Sequence, residues 1–187
     1  RRTHHRLDNA RNANFLHGSL EFFEVVCETI WASLEAQFFG GKTAKEIGKL
    51  LRDAGLRGMG AHISGDKEYT GDGLKKTLDF YAEVGIRSIV TPHASRKSAD
   101  EYRAFGESMG KAAEAAAAYG IKLGVHTAPF HFSKRYDGRT AWEWITADSS
   151  PLLQQEIDVG NVMKGGGDPV TVLKAGFGRH FHKRANA

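Results

Sequence analysis

The feature that most constrains the fold is a motif that recurs three times along the chain. It stands as AGLRGMGAHIS at 54–64, VGIRSIVTPHAS at 84–95 and YGIKLGVHTAPF at 119–130. In each copy, a glycine suited to a left-handed helix cap precedes a short apolar run of strand length, and a histidine follows. The motif predicts three βα units with a histidine at the carboxyl end of each strand: His62, His93 and His126.

Helix-start signals alternate with these predicted strands. A hydroxyl residue and an acid three positions later form capping boxes, and an aspartate before a proline suits the first helical turn. The signals are TAKE at 43–46, SADE at 98–101, TAWE at 140–143, Asp168-Pro169, and Asp72 as a further expected cap. Strands are predicted near 33–38, 58–63, 88–92, 122–126 and 154–158, with a weaker one near 179–182. This alternation predicts an α/β fold with a parallel sheet.

The spacing of the units favours a (β/α) barrel of the TIM type, with a doubly wound open sheet as the rival. A full barrel takes about 250 residues, whereas this chain has 187. We therefore expect an incomplete barrel of about six or seven βα units, with the last strand or strands missing. The expected organisation is a polar N-terminal arm over 1–17 and one barrel domain over 18–187.

Composition excludes some classes of function. The net charge is only +4 although the pI is 9.2, and the positive residues are spread along the chain. A phosphorylated or carboxylated small substrate fits this charge about as well as nucleic acid does. No basic run with interleaved aromatics marks a nucleic-acid face, so nucleic acid is not the expected partner. Cys27 is the single cysteine, which indicates a reducing compartment and a cytoplasmic location. No apolar run reaches the length of a membrane span.

Polar side chains gather at the predicted strand ends. Carboxylates and imidazoles that meet on one rim are the ligands a divalent metal would need. Glu156 and Asp158 lie two positions apart and point the same way along a strand. Each candidate also has a structural alternative, such as a rim ion pair for Glu35 or a core hydrogen bond for His62 and His93. The candidates are Glu35, His62, His93, His126, Glu156, Asp158 and His182, with His131 and Arg135 on the loop after His126.

Three segments together resemble a known family. GIKLGVHTAPFHF and QQEIDVGNVMKGGGDPVTVLKAGFGRHFH resemble the sugar phosphate isomerase/epimerase family of xylose isomerase-like barrels, and LEAQFFGGKTAKEIGKLLRDAGLRGMGAHIS resembles its second and third βα units. The resemblance implies a TIM-type barrel with a divalent metal: Mn, Co, Zn or Mg. It implies proton transfer next to a sugar carbonyl through a metal-stabilised enediolate.

The resemblance also implies roles for individual residues. Metal ligands would be His126, Asp158 and His182, with His180 as a competitor for the last position. Proton transfer would involve Glu35, His126 and Glu156. The sugar would be contacted by His62, His93, His131, Arg135 and Lys183.

Two departures from the family pattern stand out. Thr127-Ala128-Pro129 follows His126 where relatives commonly have Asn-His-Asp, and nothing supplies the glutamate of an eighth strand. Two-base epimerisation is therefore in question. An open barrel would also expose strand edges, which favours pairing with another chain, so a homo-oligomer is one expectation.

Two alternatives of other classes stay open. One is a metal-dependent hydrolase similar to endonuclease IV, which the basic pI permits. The other is a non-catalytic barrel remnant whose rim histidines are structural.

Overall fold

The computed structural model describes residues 41–92, 94–176 and 178–179. Within them, the helices are α1 (Ala44–Asp53), α2 (Gly71–Val84), α3 (Ala99–Ala117), α4 (Phe130–Ser133), α5 (Ala141–Ala147), α6 (Val159–Lys164) and α7 (Pro169–Ala175), and a short 3₁₀ helix spans Lys67–Tyr69. The strands are β1 (Ala61–His62), β2 (Ser88–Thr91), β3 (Lys122–His126), β4 (Arg135–Tyr136), β5 (Arg139–Thr140) and β6 (Gln154–Glu156).

Four of these strands form one parallel sheet in the order β1-β2-β3-β6. The helices follow the strands along the chain, as the alternating pattern predicted. The remaining two strands, β4 and β5, make an antiparallel hairpin between α4 and α5. The predicted strands at 58–63, 88–92, 122–126 and 154–158 are confirmed, and only the third has the predicted length, since the other three are shorter.

The first residue of the weaker predicted strand near 179–182 lies at the edge of this sheet. The amide of Gln155 in β6 donates to the carbonyl of Arg179 at 2.6 Å. The chain at Arg179 therefore lies beside β6, where a further strand of the sheet would pair. Residues 180–187 lie outside the described part of the chain, as do the predicted arm at 1–17 and the predicted strand at 33–38.

One face of the sheet packs against the helices. Ile89 on β2, Leu123 on β3 and Leu153 just before β6 are each at most 1% exposed. The strand register places them on the same face, because paired residues of parallel strands point the same way. Apolar residues of α2, α3 and α5 complete this core. The opposite face carries His62, His126 and Glu156.

That opposite face is concave. Three strand spacings would separate β1 from β6 by roughly 14 Å in a flat sheet. Nevertheless, Nε2 of His62 on β1 and Oε2 of Glu156 on β6 are 2.6 Å apart. The sheet must therefore curl around these side chains, which is the geometry of a barrel wall rather than of an open doubly wound sheet.

Local signals set the helix ends. Thr43 and Thr140 each form a complete capping box with the glutamate three residues later. Ser98 accepts a hydrogen bond from the Glu101 amide, but the Glu101 carboxylate bonds the amide of Lys97 at 2.8 Å instead of closing the box.

The expected cap at Asp72 is wrong. Thr70 occupies the N-cap position of α2, and Asp72 lies within the first turn. A carboxylate in the first turn still interacts favourably with the exposed amides of the helix end.

The repeated glycines end the helices as predicted. Gly55, Gly85 and Gly120 have φ angles of +67°, +95° and +65°. Glycine adopts this left-handed conformation without the steric cost that a Cβ would add. Each glycine thus turns the chain from a helix into the next strand. None of the helices in the described part is long and apolar enough to cross a membrane.

Candidate functional site

Four side chains meet at the carboxyl ends of the strands and form the rim cluster: His62, His126, Glu156 and Asp158. Nε2 of His62 lies 2.6 Å from Oε2 of Glu156. The rings of His62 and His126 have centroids 5.2 Å apart. Nε2 of His126 lies 3.8 Å from Oδ2 of Asp158. The cluster therefore contains two histidine–carboxylate pairs in contact through their imidazoles.

The parallel sheet explains why these residues meet. His62, His126 and Glu156 are the last residues of β1, β3 and β6. His126 and Glu156 are direct partners in the register of β3 with β6. Because all four strands run the same way, their carboxyl ends reach one rim.

Asp158 lies just beyond β6 and has two roles. Its Oδ1 accepts the amide of Asn161 at 2.8 Å and so caps α6. Its Oδ2 is the atom that faces His126. The cap therefore fixes the carboxylate while leaving one oxygen directed at the imidazole.

Solvent reaches all four side chains. Their exposed fractions are 24% for His62, 29% for Glu156, 18% for His126 and 44% for Asp158. A small polar ligand could therefore contact the rim cluster without unfolding the barrel wall. Partial burial also strengthens electrostatic interactions relative to those on an open surface.

The His62–Glu156 contact constrains where the proton lies. An ionised carboxylate only accepts hydrogen bonds, so in that state Nε2 of His62 carries the proton. Histidine and glutamate are both side chains that act as general acids and bases when they are positioned next to a substrate.

A tyrosine anchors the chain after His62. The Tyr69 hydroxyl donates to the carbonyl of Ile63 at 2.6 Å, and both side chains are buried. Burial raises the pKa of Tyr69 well above its ordinary value. The phenol therefore stays a neutral donor at physiological pH and fixes the turn beside His62.

The donor types of the rim cluster suit a divalent metal, but a complete ligand set is not seen. His126 and Asp158 offer an imidazole nitrogen and a carboxylate oxygen, which borderline divalent metals accept. Among the described residues, no group of three His, Cys, Asp or Glu side chains could hold a metal ion. The third predicted ligand, His182, lies outside those residues.

His131 is not part of the rim cluster. It lies in α4 with its side chain fully buried, and its Nδ1 accepts the Ala128 amide at 3.0 Å. Its ring packs near Trp142 and Tyr102, with centroids 5.7 Å and 6.4 Å away. The expectation of a loop histidine facing the sugar is thus corrected, because His131 closes an aromatic cluster in the core.

Arg135 lies on β4, in the hairpin that follows α4. It is exposed on β4, and its Nη1 donates to the carbonyl of Gly138 in the hairpin turn at 2.9 Å. Its role in binding an anionic substrate group stays a prediction. The remaining predicted site residues, Glu35, His93, His182 and Lys183, lie outside the described residues, as does the competitor His180.

Sequence reasoning missed two residues beside the cluster. Thr127 is fully buried directly after His126, and Asn161 lies in the first turn of α6. The side-chain amide of Asn161 donates to the carbonyl of Thr127 at 2.9 Å. The available signal was the spacing Asp158-x-x-Asn161, typical of a helix start, but it does not reveal a bond to Thr127, the residue after β3.

The curved parallel sheet and its polar carboxyl-end rim define a TIM barrel of the kind that carries its site on that rim. The family model for the xylose isomerase-like TIM barrel matches residues 19–186. The chain belongs to this family. A search of curated proteins finds no match.

Solved structures show the same fold. A sugar phosphate isomerase/epimerase from Parabacteroides distasonis matches with a TM-score of 0.65 and 24% identity, over 78% of this chain and 61% of that one. A second protein of the same description and organism gives 0.57 and 19%, over 79% and 67%. An AP endonuclease, family 2, from Brucella melitensis gives 0.54 and 15%, over 75% and 63%.

These likenesses establish architecture alone. The chain spans 61% of the length of the first of these structures. Proteins described as isomerases and as an endonuclease share the fold, so chemistry has to be argued from the site.

Proposed function

We propose that the protein is a metal-dependent isomerase or epimerase of a sugar or sugar phosphate, which moves a proton next to the carbonyl. The observation that carries the proposal is the 2.6 Å contact between His62 and Glu156, with His126 and Asp158 beside it on the same rim. One pair is suited to move a proton. The other offers ligand atoms for a cation.

Glu156 is the proposed proton acceptor. Its carboxylate lies at the carboxyl end of β6 and is partly exposed. His62 contacts it directly and can hold the proton that a substrate carbon or hydroxyl gives up. His126 is the neighbouring imidazole, able to donate to or accept from a sugar oxygen.

His126 and Asp158, with His182, would hold the metal. When bound, a divalent ion supplies positive charge next to a carbonyl oxygen and makes the adjacent C–H more acidic. The capped carboxylate of Asp158 presents a fixed oxygen for this purpose. Arg135 and Lys183 are proposed to hold an anionic group of the substrate.

The described residues supply one proton-transfer pair. A single base can move a proton between two neighbouring carbons on one face of an enediol, as aldose–ketose isomerisation requires. Epimerisation needs a proton delivered to the opposite face, and we propose Glu35 as the second base for that step. The stereochemistry of the product would therefore show whether a second base acts.

Solvent deuterium incorporation tests the proposal. The full chain is incubated in D₂O with aldoses, ketoses and their phosphates in the presence of Mn²⁺, Co²⁺, Zn²⁺ or Mg²⁺. Deuterium next to the carbonyl is then followed by NMR. We expect metal-dependent incorporation that falls by about 10²- to 10⁴-fold in Glu156→Gln, because a positioned base contributes that much.

Glu107→Gln serves as the matched control, because Glu107 is exposed on α3 and should leave the exchange unchanged. Absence of exchange for every sugar, with a folded chain, would contradict the proposal. Metal-dependent cleavage of abasic DNA would then select a hydrolase. A folded chain that shows neither activity and binds no metal would indicate a non-catalytic barrel.

A further inference from the structure

Thr127, which follows His126, is bonded through its backbone and its side chain to the segment that carries Glu156 and Asp158. Its hydroxyl oxygen accepts the backbone amide of Asp158 at 2.8 Å. Its own amide donates to the carbonyl of Glu156 at 3.0 Å. Its carbonyl accepts a hydrogen bond from the Asn161 side chain at 2.9 Å. The hydroxyl, the amide and the carbonyl of Thr127 are thus all bonded to residues 156–161.

Asn161 closes this connection into a ring of hydrogen bonds. Its backbone amide holds Oδ1 of Asp158 at 2.8 Å, while its side chain holds the carbonyl of Thr127. The amide of Asp158 returns to the Thr127 hydroxyl. The three residues therefore fix one another's backbone and leave Oδ2 of Asp158 facing His126.

The properties of Thr127 make it an effective clamp. Its side chain is fully buried, so the hydrogen bond to Asp158 is not exchanged with solvent. Its β-branched side chain has few rotamers, which limits movement of the hydroxyl. His126 precedes it directly in the chain, so a shift of Thr127 moves the imidazole as well.

We propose that Thr127 is a positioning residue that sets the separation between Nε2 of His126 and Oδ2 of Asp158, with Asn161 as its partner. Its importance for catalysis rests on the proposed function, whereas its effect on the geometry of the cluster does not. The hydroxyl acts through the amide of Asp158 and not by direct contact with substrate or metal.

Thr127→Val tests the proposal because valine keeps the shape and removes the acceptor. The environment of His126 is read from the ¹⁵N and ¹H resonances of its imidazole in the full chain, and kcat and KM are measured for the sugar found by the exchange assay. We expect the His126 resonances to shift. We expect kcat to fall by about 10- to 100-fold, the usual effect of removing a group that orients a ligand residue.

Three further variants separate positioning from a general loss of stability. Thr127→Ser keeps the hydroxyl and should restore the His126 resonances and most of kcat. Asn161→Ala removes the second bond and should shift the same resonances, which keeps the test valid if Thr127→Val does not fold. Thr77→Val is the matched control, because Thr77 is a fully buried threonine on α2 whose hydroxyl has no hydrogen-bond partner among the described residues.

The outcomes distinguish this proposal from the proposed function. Unchanged His126 resonances in folded Thr127→Val and Asn161→Ala would overturn the positioning role whatever the activity. Shifted resonances in a chain that exchanges no sugar proton would keep the positioning role and contradict the isomerase proposal. Equal shifts in Thr77→Val would also overturn the positioning role, because they would show a general response of the core.

Discussion

Substitution of Gly106 by alanine should destabilise the barrel, although alanine is the better helix former. Gly106 lies in the middle of α3, where that helix packs against α5. A Cβ built at this position would lie 2.1 Å from the carbonyl oxygen of Ile145 and 2.9 Å from its carbon. A carbon and an oxygen atom that are not bonded to each other cannot approach so closely, so α3 and α5 would have to separate by at least about 1 Å.

The magnitude follows from two opposing effects. Alanine gains about 1 kcal/mol over glycine inside a helix. Overpacking against rigid backbone costs about 1–3 kcal/mol, occasionally more. Because the contact at Gly106 is with a backbone carbonyl that cannot rotate away, we expect the overpacking cost to lie at the upper end of this range. We expect a net loss of about 2 kcal/mol in the free energy of unfolding, or a fall in Tm of about 4–8 °C.

Urea unfolding followed by circular dichroism measures this loss. Glu107→Ala is the control, since Glu107 is the exposed neighbour on the same helix and its replacement should stay within about 0.5 kcal/mol of the native chain. Gly106→Ala as stable as the native chain, or more stable, would refute the close approach of α3 and α5.

Three further predictions concern the helix cap at Thr140 and the buried Tyr81. Thr140→Ala should lower the free energy of unfolding by about 1 kcal/mol in a urea titration, because the capping box with Glu143 is lost; an unchanged midpoint would contradict it. Hydrogen bonds from the Thr140 backbone amide and hydroxyl lower the pKa of Glu143 below 4.5 in the folded chain. The stability that ionised Glu143 contributes is therefore present above pH 4.5 and is lost as the pH falls below that value. Glu143→Gln should therefore show a smaller loss of stability between pH 6 and acid pH than the native chain, and an identical loss would count against the box. Burial raises the pKa of Tyr81 from 10.0 to about 12, so the stability it provides is present below pH 10 and declines as pH rises toward 12. Tyr81→Phe should reduce that alkaline loss in unfolding curves followed by tyrosinate absorbance, and an unaltered pH dependence would argue against burial of this phenol.

Local features of the fold could be predicted from the sequence because each depends on a few neighbouring residues. The boxes at Thr43 and Thr140 and the glycine caps at Gly55, Gly85 and Gly120 are confirmed. The error at Asp72 has a local cause as well. The N-cap of α2 is Thr70 rather than Asp72, so the helix begins two residues earlier than the capping pattern predicted.

The candidate site could be predicted only in part. Parallel strands place their carboxyl ends on one rim, so the pattern brought His62, His126, Glu156 and Asp158 to the same place. It did not reveal that His62 bonds Glu156, because that contact depends on how strongly the sheet curves across two intervening strands. Curvature is a property of the whole barrel and has no signal in a short segment.

Burial of His131 shows the same limit. The residue follows β3 by a few positions, which favours a loop at the rim, yet a single turn of helix directs it into the core. Contacts with Trp142 and Tyr102 decide this orientation. Those residues are close only after α3 and α5 have packed, so position along the chain was not enough.

The most direct test of the central claim is the metal content of the folded chain, measured by plasma mass spectrometry after dialysis against Mn²⁺, Co²⁺, Zn²⁺ or Mg²⁺. Asp158→Ala is compared with Asp168→Ala, because Asp168 caps α7 as Asp158 caps α6 and is not one of the four rim residues. We predict near-stoichiometric metal in the native chain and in Asp168→Ala, and its loss in folded Asp158→Ala. A folded native chain without metal, or equal metal in Asp158→Ala, would contradict a metal-dependent site on this rim.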